Sequence, residues 1–177
     1  MTEILWHGRG GQGAFTAAKL AGAAYTIGDS SKYALCFPSF GPERRGAPIR
    51  AFTKLDDTSI GNRSEVVKAD YSIFLDDTLF SEKAFEEIKP NGKILLNTKN
   101  TVNDERVIAV DGDSIAEEIL KMPIVNTIML GAFASVFERM PLENIEQAIK
   151  GYMPEKLHEK NIRAVNAAFE AVRKAAK

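Results

Sequence analysis

The chain has 177 residues, 45% hydrophobic and 27% charged, with a formal net charge of −1. That is the makeup of one soluble domain, residues 1–177, with a single core, and it argues against a dedicated nucleic-acid binder. One cysteine excludes an internal disulfide and cannot supply the four thiolates of an iron–sulfur cluster. No basic-then-apolar leader opens the sequence and no run nears the ~20 apolar residues of a membrane span, so a cytoplasmic location is expected.

The first predicted strand, residues 3–7, leads into Gly8-Arg9-Gly10-Gly11-Gln12-Gly13 and then into Ala-rich helical sequence over residues 14–27. This strand–glycine loop–helix order leaves backbone N–H groups at a helix start, where the dipole favours an anion. The glycines match G-x-G-x-x-G, a pattern that a tight turn packing a helix on a sheet also needs. Positive charge gathers here: residues 1–50 hold six Lys/Arg against three Asp/Glu.

A second strand is predicted at residues 32–37, stopped by Pro38, with Cys36 as an inert core thiol. Residues 39–48 then form an unusual loop with two glycines, two prolines and Glu43-Arg44-Arg45 in a row. Alternation at Ile49, Ala51, Thr53 and Leu55 predicts a two-faced strand, with a short return strand near residues 59–63. A buried strand at 71–75 ends in Asp76-Asp77, followed by a helix over 81–88 and strands at 93–96 and 107–110. Ser114 and Glu117 fit a capping box for a helix to about residue 121. A buried helix over 127–139, another from Pro141 to about residue 151, and a last one opened by Pro154 complete the chain.

Strands alternating with helices predict an α/β fold: a doubly wound, mostly parallel sheet with a Rossmann-like glycine loop and a helical C-terminal layer. In such sheets ligands bind outside the carboxyl ends of the strands. The topology brings the glycine loop, the 39–48 loop and Asp76-Asp77 to that edge.

A NAD site expects an acidic residue about 20 positions past the glycines, at the end of the second strand. Here that strand runs into Cys36-Phe37-Pro38-Ser39, while the nearby arginines leave NADP open. Arg44 and Arg45 are suited to clamp phosphates in bidentate fashion or to meet a partner subunit. For Asp76-Asp77, capping the next helix outweighs metal or acid–base work. His7 and His158 lie at opposite ends of the sequence, which disfavours a zinc site. With no Ser–His–Asp or Cys–His pattern, no catalytic residue is assigned, and chemistry by this chain alone is not expected.

Three motifs together carry a resemblance: Trp6-His7-Gly-Arg-Gly-Gly-Gln-Gly-Ala14, Ser39-Phe-Gly-Pro-Glu-Arg-Arg-Gly-Ala-Pro48 and Asn126-Thr-Ile-Met-Leu-Gly-Ala132. In order and spacing the chain resembles the gamma subunit of 2-oxoacid:ferredoxin oxidoreductases, the pyruvate:ferredoxin oxidoreductase group. The resemblance implies a complex that converts a 2-oxoacid and coenzyme A to acyl-CoA and carbon dioxide and reduces ferredoxin or flavodoxin. It further implies thiamine diphosphate and Mg between alpha and beta subunits, and iron–sulfur clusters on beta and delta, with no cofactor bound by this chain alone. Gly112-Asp113 begins like a thiamine motif, but Ser114 follows. The implied partners are alpha, beta and delta subunits and CoA, with no membrane or nucleic acid. Gly8, Arg9, Gly10, Gly11, Gln12, Gly13, Arg44 and Arg45 are the candidate cofactor-binding residues. A purely structural docking subunit and a free-standing NADP-binding domain are the alternatives.

Overall fold

In the computed structural model, which describes residues 1–39 and 45–176, a six-stranded sheet has the order β2-β3-β1-β4-β5-β6. The strands are β1 (Thr2–Arg9), β2 (Tyr33–Pro38), β3 (Pro48–Asp56), β4 (Ala69–Phe74), β5 (Ile88–Asn97) and β6 (Val107–Val110). β1, β4, β5 and β6 pair in parallel, while β3 runs antiparallel to both β1 and β2. The reversal of β3 has a simple cause: only residues 39–47 separate it from β2, and a parallel crossover needs a dozen residues or more.

Five α-helices cover one face: α1 (Ala14–Thr26), α2 (Gly112–Ile115), α3 (Asn126–Val136), α4 (Leu142–Tyr152) and α5 (His158–Ala175). The main core lies beneath them, with Ile4 and Trp6 of β1, Ala51 and Leu55 of β3, Ile73 of β4 and Leu95 of β5 meeting the helices. Trp6 is fully buried, donates from Nε1 to Thr53 Oγ1 at 3.1 Å and meets Phe133 edge-on. Close approach of α3 and α5 depends on Gly131, where a Cβ would strike the backbone of Val165. Gly22 of α1 likewise leaves room for Cys36 Sγ on β2. Burial pushes the Cys36 thiol up to about 11, so it is an inert packing group.

The opposite face is covered by short elements. Leu5 and Phe52 pack with Val66 of the β3–β4 connection, while Phe74, Ile94 and Leu96 pack with Ala84. The β1–β2 connection therefore passes over one face and the β3–β4 and β4–β5 connections over the other. That is the winding expected of the fold, with 3₁₀ turns in place of helices on the second face.

Several local expectations are corrected. Residues 81–88 form a 3₁₀ turn, Glu82–Glu87, and Ile88 already belongs to β5. Ser81 makes no side-chain cap bond there, and Ala84 and Phe85 are drawn down onto the sheet. Residues 59–63 form a loop, not a strand, held by Asn62, whose carbonyl accepts from the fully buried Lys54 Nζ at 3.2 Å. The expected capping box fails because Asp111, not Ser114, caps α2, accepting from Ser114 N at 2.9 Å. A π turn, Ala116–Leu120, follows and ends at Lys121 with φ 58°. Pro38 lies within β2, which is an edge strand where a missing N–H is tolerated.

Candidate functional site

The site is built at the carboxyl end of β1, where chain connections leave for opposite faces of the sheet. β1 ends at Arg9, and the turn that follows has Gly11 at φ 97° and Gly13 at φ 80°, a region open to glycine and strained for other residues. α1 then begins at Ala14 with neither a side-chain cap nor an acidic residue in its first turn. Its first N–H groups thus keep the unpaired, positive character of a helix start.

Beside this turn lies the end of the second loop. Gly10 N donates to Ala47 O at 2.8 Å, Gly46 N donates to Gly10 O at 3.0 Å, and Gly10 bridges Arg45 in parallel. Arg9 reinforces the junction, donating to Asp76 Oδ2 at 3.1 Å, Gly46 O at 3.2 Å and Thr78 Oγ1 at 2.8 Å. Gln12 closes the turn by accepting from Arg9 N at 2.7 Å and donating to Asp76 Oδ2 at 3.0 Å. The glycine turn, the second loop and the end of β4 are therefore one hydrogen-bonded unit.

Asp76 also caps the 3₁₀ turn Asp77–Leu79 by accepting from Thr78 N, and Asp77 accepts from Thr98 Oγ1 at 2.9 Å. The two aspartates serve as cap and tether. Burial opposes ionisation of Asp76, but hydrogen bonds from Thr78 and Gln12, with the Arg9 guanidinium nearby, outweigh it and hold its carboxyl below the ordinary range.

Of the candidate residues, Gly8, Arg9, Gly10, Gly11, Gln12 and Gly13 come together with Arg45, which is exposed. Arg44 lies outside the described residues. Arg9 and Gln12 direct side-chain hydrogen bonds into the unit and brace its shape.

The third motif enters from α3. The Asn126 carboxamide sits where a Cβ on Gly13 would stand and donates from Nδ2 to Gly13 O at 3.4 Å. Thr127 Oγ1 donates to Asn161 Oδ1 at 2.7 Å inside the core. Gly112-Asp113 is anchored by Asn97, which accepts from Gly112 N and donates to Asp113 Oδ1, both at 3.0 Å. Among the described residues no group of three or more His, Cys, Asp or Glu is placed to hold a metal ion, and no helix is long and apolar enough to cross a membrane.

One part of the site was missed at the sequence level. On the second face, a cleft of about 370 Å³ runs under Ser39 and Pro48, the two ends of the second loop. His7 lines it, 9% exposed and stacked on Phe74 at 4.1 Å between ring centroids. Glu87 Oε2 lies 3.0 Å from His7 Nε2, and Arg50 lies 3.9 Å from Glu87 on the other side. The His7 ring beside it, with the Arg50 guanidinium nearby, holds the Glu87 carboxyl below its ordinary value against its burial. The available signal was strand alternation, which puts His7 on the same face as Leu5.

Comparison with known proteins settles the family. The chain matches the family described as pyruvate ferredoxin/flavodoxin oxidoreductase over residues 3–171. The chain belongs to this family. It is 44% identical to the pyruvate synthase subunit PorC of Methanothermobacter thermautotrophicus, over 98% of this chain and 97% of that one. It is 40% identical to the pyruvate/ketoisovalerate oxidoreductases common subunit gamma of Thermococcus litoralis, over 96% of both chains. A crystal structure of the pyruvate oxidoreductase subunit PORC from Thermotoga maritima superposes with a TM-score of 0.81 at 34% identity, covering 96% of this chain and 95% of that one. Family membership makes the chain an oxidoreductase subunit of the gamma type; the first and third sequence motifs meet at Gly13, and the described end of the second bonds to Gly10.

Proposed function

We propose that the chain serves as the gamma subunit of a 2-oxoacid:ferredoxin or flavodoxin oxidoreductase, and that its paired loops present coenzyme A. The complex would oxidise and decarboxylate a 2-oxoacid, join the acyl group to the CoA sulfur, release carbon dioxide and pass two electrons to the carrier protein. Thiamine diphosphate, Mg and iron–sulfur clusters belong to the companion alpha, beta and delta chains in this reading.

The observation that carries the reading is the junction of the two loops. It holds an uncapped helix start, a glycine turn and the Arg45 end of the second loop at one edge of the sheet. CoA brings a pyrophosphate and a ribose phosphate, anions suited to helix-start N–H groups and guanidinium forks. Membership of a family of gamma-type oxidoreductase subunits over nearly the whole chain speaks against the free-standing NADP-binding alternative. The relative from Thermococcus litoralis is named as common to pyruvate and ketoisovalerate oxidoreductases. By analogy, the choice of 2-oxoacid falls to the companion chains.

A steady-state measurement tests this. In the assembled enzyme, Arg44→Ala with Arg45→Ala should raise the CoA KM about tenfold or more, with the 2-oxoacid KM unchanged, because removing charge-assisted bonds worth about 1.5–3 kcal/mol weakens one ligand only. An unchanged CoA KM in an intact complex would remove the ligand role. Loss of subunits on gel filtration without a separate CoA effect would favour the purely structural docking role, which the internal bracing of Arg9 and Gln12 makes the second reading.

A further inference from the structure

A cavity of about 350 Å³ opens between the starts of α1, α3 and α5, with Thr16 and Asn126 in its lining. Leu120, Met122, Ile124, Met153 and Leu157 make its apolar lining, and Lys156 and Lys160 stand on it one helical turn apart. Neither lysine has an ion-pair or side-chain hydrogen-bond partner among the described residues, and no carboxylate lines the cavity. The polar groups at its base are already spoken for: Asn161 accepts from Thr127 Oγ1 and donates to Leu157 O, and Asn126 reaches Gly13 O. What remains for an occupant is an apolar surface next to two free cations.

Met122, 52% exposed, forms the ridge between this cavity and a second depression lined by Asp113, Glu117, Lys121 and Pro123. The ridge is set by local backbone: the π turn Ala116–Leu120 ends at Lys121 in the left-handed region, and Pro123 follows. The surface is therefore an apolar centre with a basic rim on one side and an acidic rim on the other, the anatomy of a protein interface. A small ligand fills one depression, whereas a protein segment spans both and is oriented by the opposite charges.

We propose that this ridge and its two depressions are a docking surface for a companion subunit. The matching segment seats an apolar side chain in the cavity, places carboxylates on Lys156 and Lys160, and turns a basic group toward Asp113 and Glu117. The proposal rests on the reading of the chain as a subunit, but not on where CoA binds.

The test uses the co-expressed complex. Lys156→Glu with Lys160→Glu should weaken retention of this chain at least tenfold in a dilution series followed by native mass spectrometry. Lys156→Arg with Lys160→Arg should retain it, and raised salt should weaken the wild-type complex in the same direction. Both lysines are exposed, so circular dichroism of the variant chain should match wild type. Wild-type retention by the charge-reversed variant would overturn the proposal. So would unchanged retention with a raised CoA KM, which would make the cavity a ligand pocket instead. The Arg44 and Arg45 substitutions are read by the CoA KM and the lysine substitutions by subunit retention, so the two proposals fail separately.

Discussion

Arg9 carries three side-chain hydrogen bonds to three different segments, so its guanidinium is the single group on which the loop junction most depends. Arg9→Ala should cost about 1–2 kcal/mol, since a charged donor is lost but its site is partly exposed. Urea unfolding measures that cost, and a midpoint equal to wild type would deny the brace. Gly13→Ala should cost at least as much, because a left-handed alanine is strained by about 1–2 kcal/mol and its Cβ would also displace Asn126. The acidic groups add a pH dependence. Asp76 and Glu87 have folded pKa values below their ordinary 3.8 and 4.5, so their stabilisation is complete above those values and is lost as pH falls through the lower folded ones. The urea midpoint should therefore fall with pH below about 4.5, near the ordinary Glu value. Asp76→Asn should flatten that fall, and an equally steep fall in the variant would contradict the assignment.

Among the elements, α1 and β6 were legible because flanking glycines and apolar runs agree with their tertiary surroundings. The predicted bounds of β6 match the structure, and α1 ends one residue short of its expected limit. The elements misread are those shaped by packing. The 3₁₀ turn Glu82–Glu87 has helical residues but too little length to nucleate a helix, and it is flattened on the second face of the sheet. The π turn has no sequence signature; Asp111 starts its helix earlier than Ser114 suggested. The 39–48 loop, the most unusual segment in composition, meets the carboxyl end of β1 at its described end, where Gly46 and Ala47 bond to Gly10. In the sequence His7 is weighed only as a metal ligand, because its neighbours in the cleft, Glu87 and Arg50, come from distant segments. In the helical layer, Gly131 decides the α3–α5 distance. Gly131→Ala should cost about 3 kcal/mol, the upper end for overpacking, because the atoms it meets are the backbone of Val165. Thermal melts would show it, and an unchanged midpoint would mean that the two helices can part.

At the scale of the whole molecule, the sheet divides labour between its faces and its ends. The helical face stores most of the core, the second face holds the His7 cleft, and the carboxyl edge gathers the loops. In the proposed role the chain completes a larger enzyme by offering a shaped loop edge, and the redox chemistry falls to companion chains. Hydrogen exchange of the assembled enzyme, with and without CoA, tests this most directly. The account predicts slower exchange on CoA binding at the amides of residues 11–16 and 45–50, with no change in the π turn at 116–120. Unaltered exchange in both loop segments at saturating CoA would contradict it.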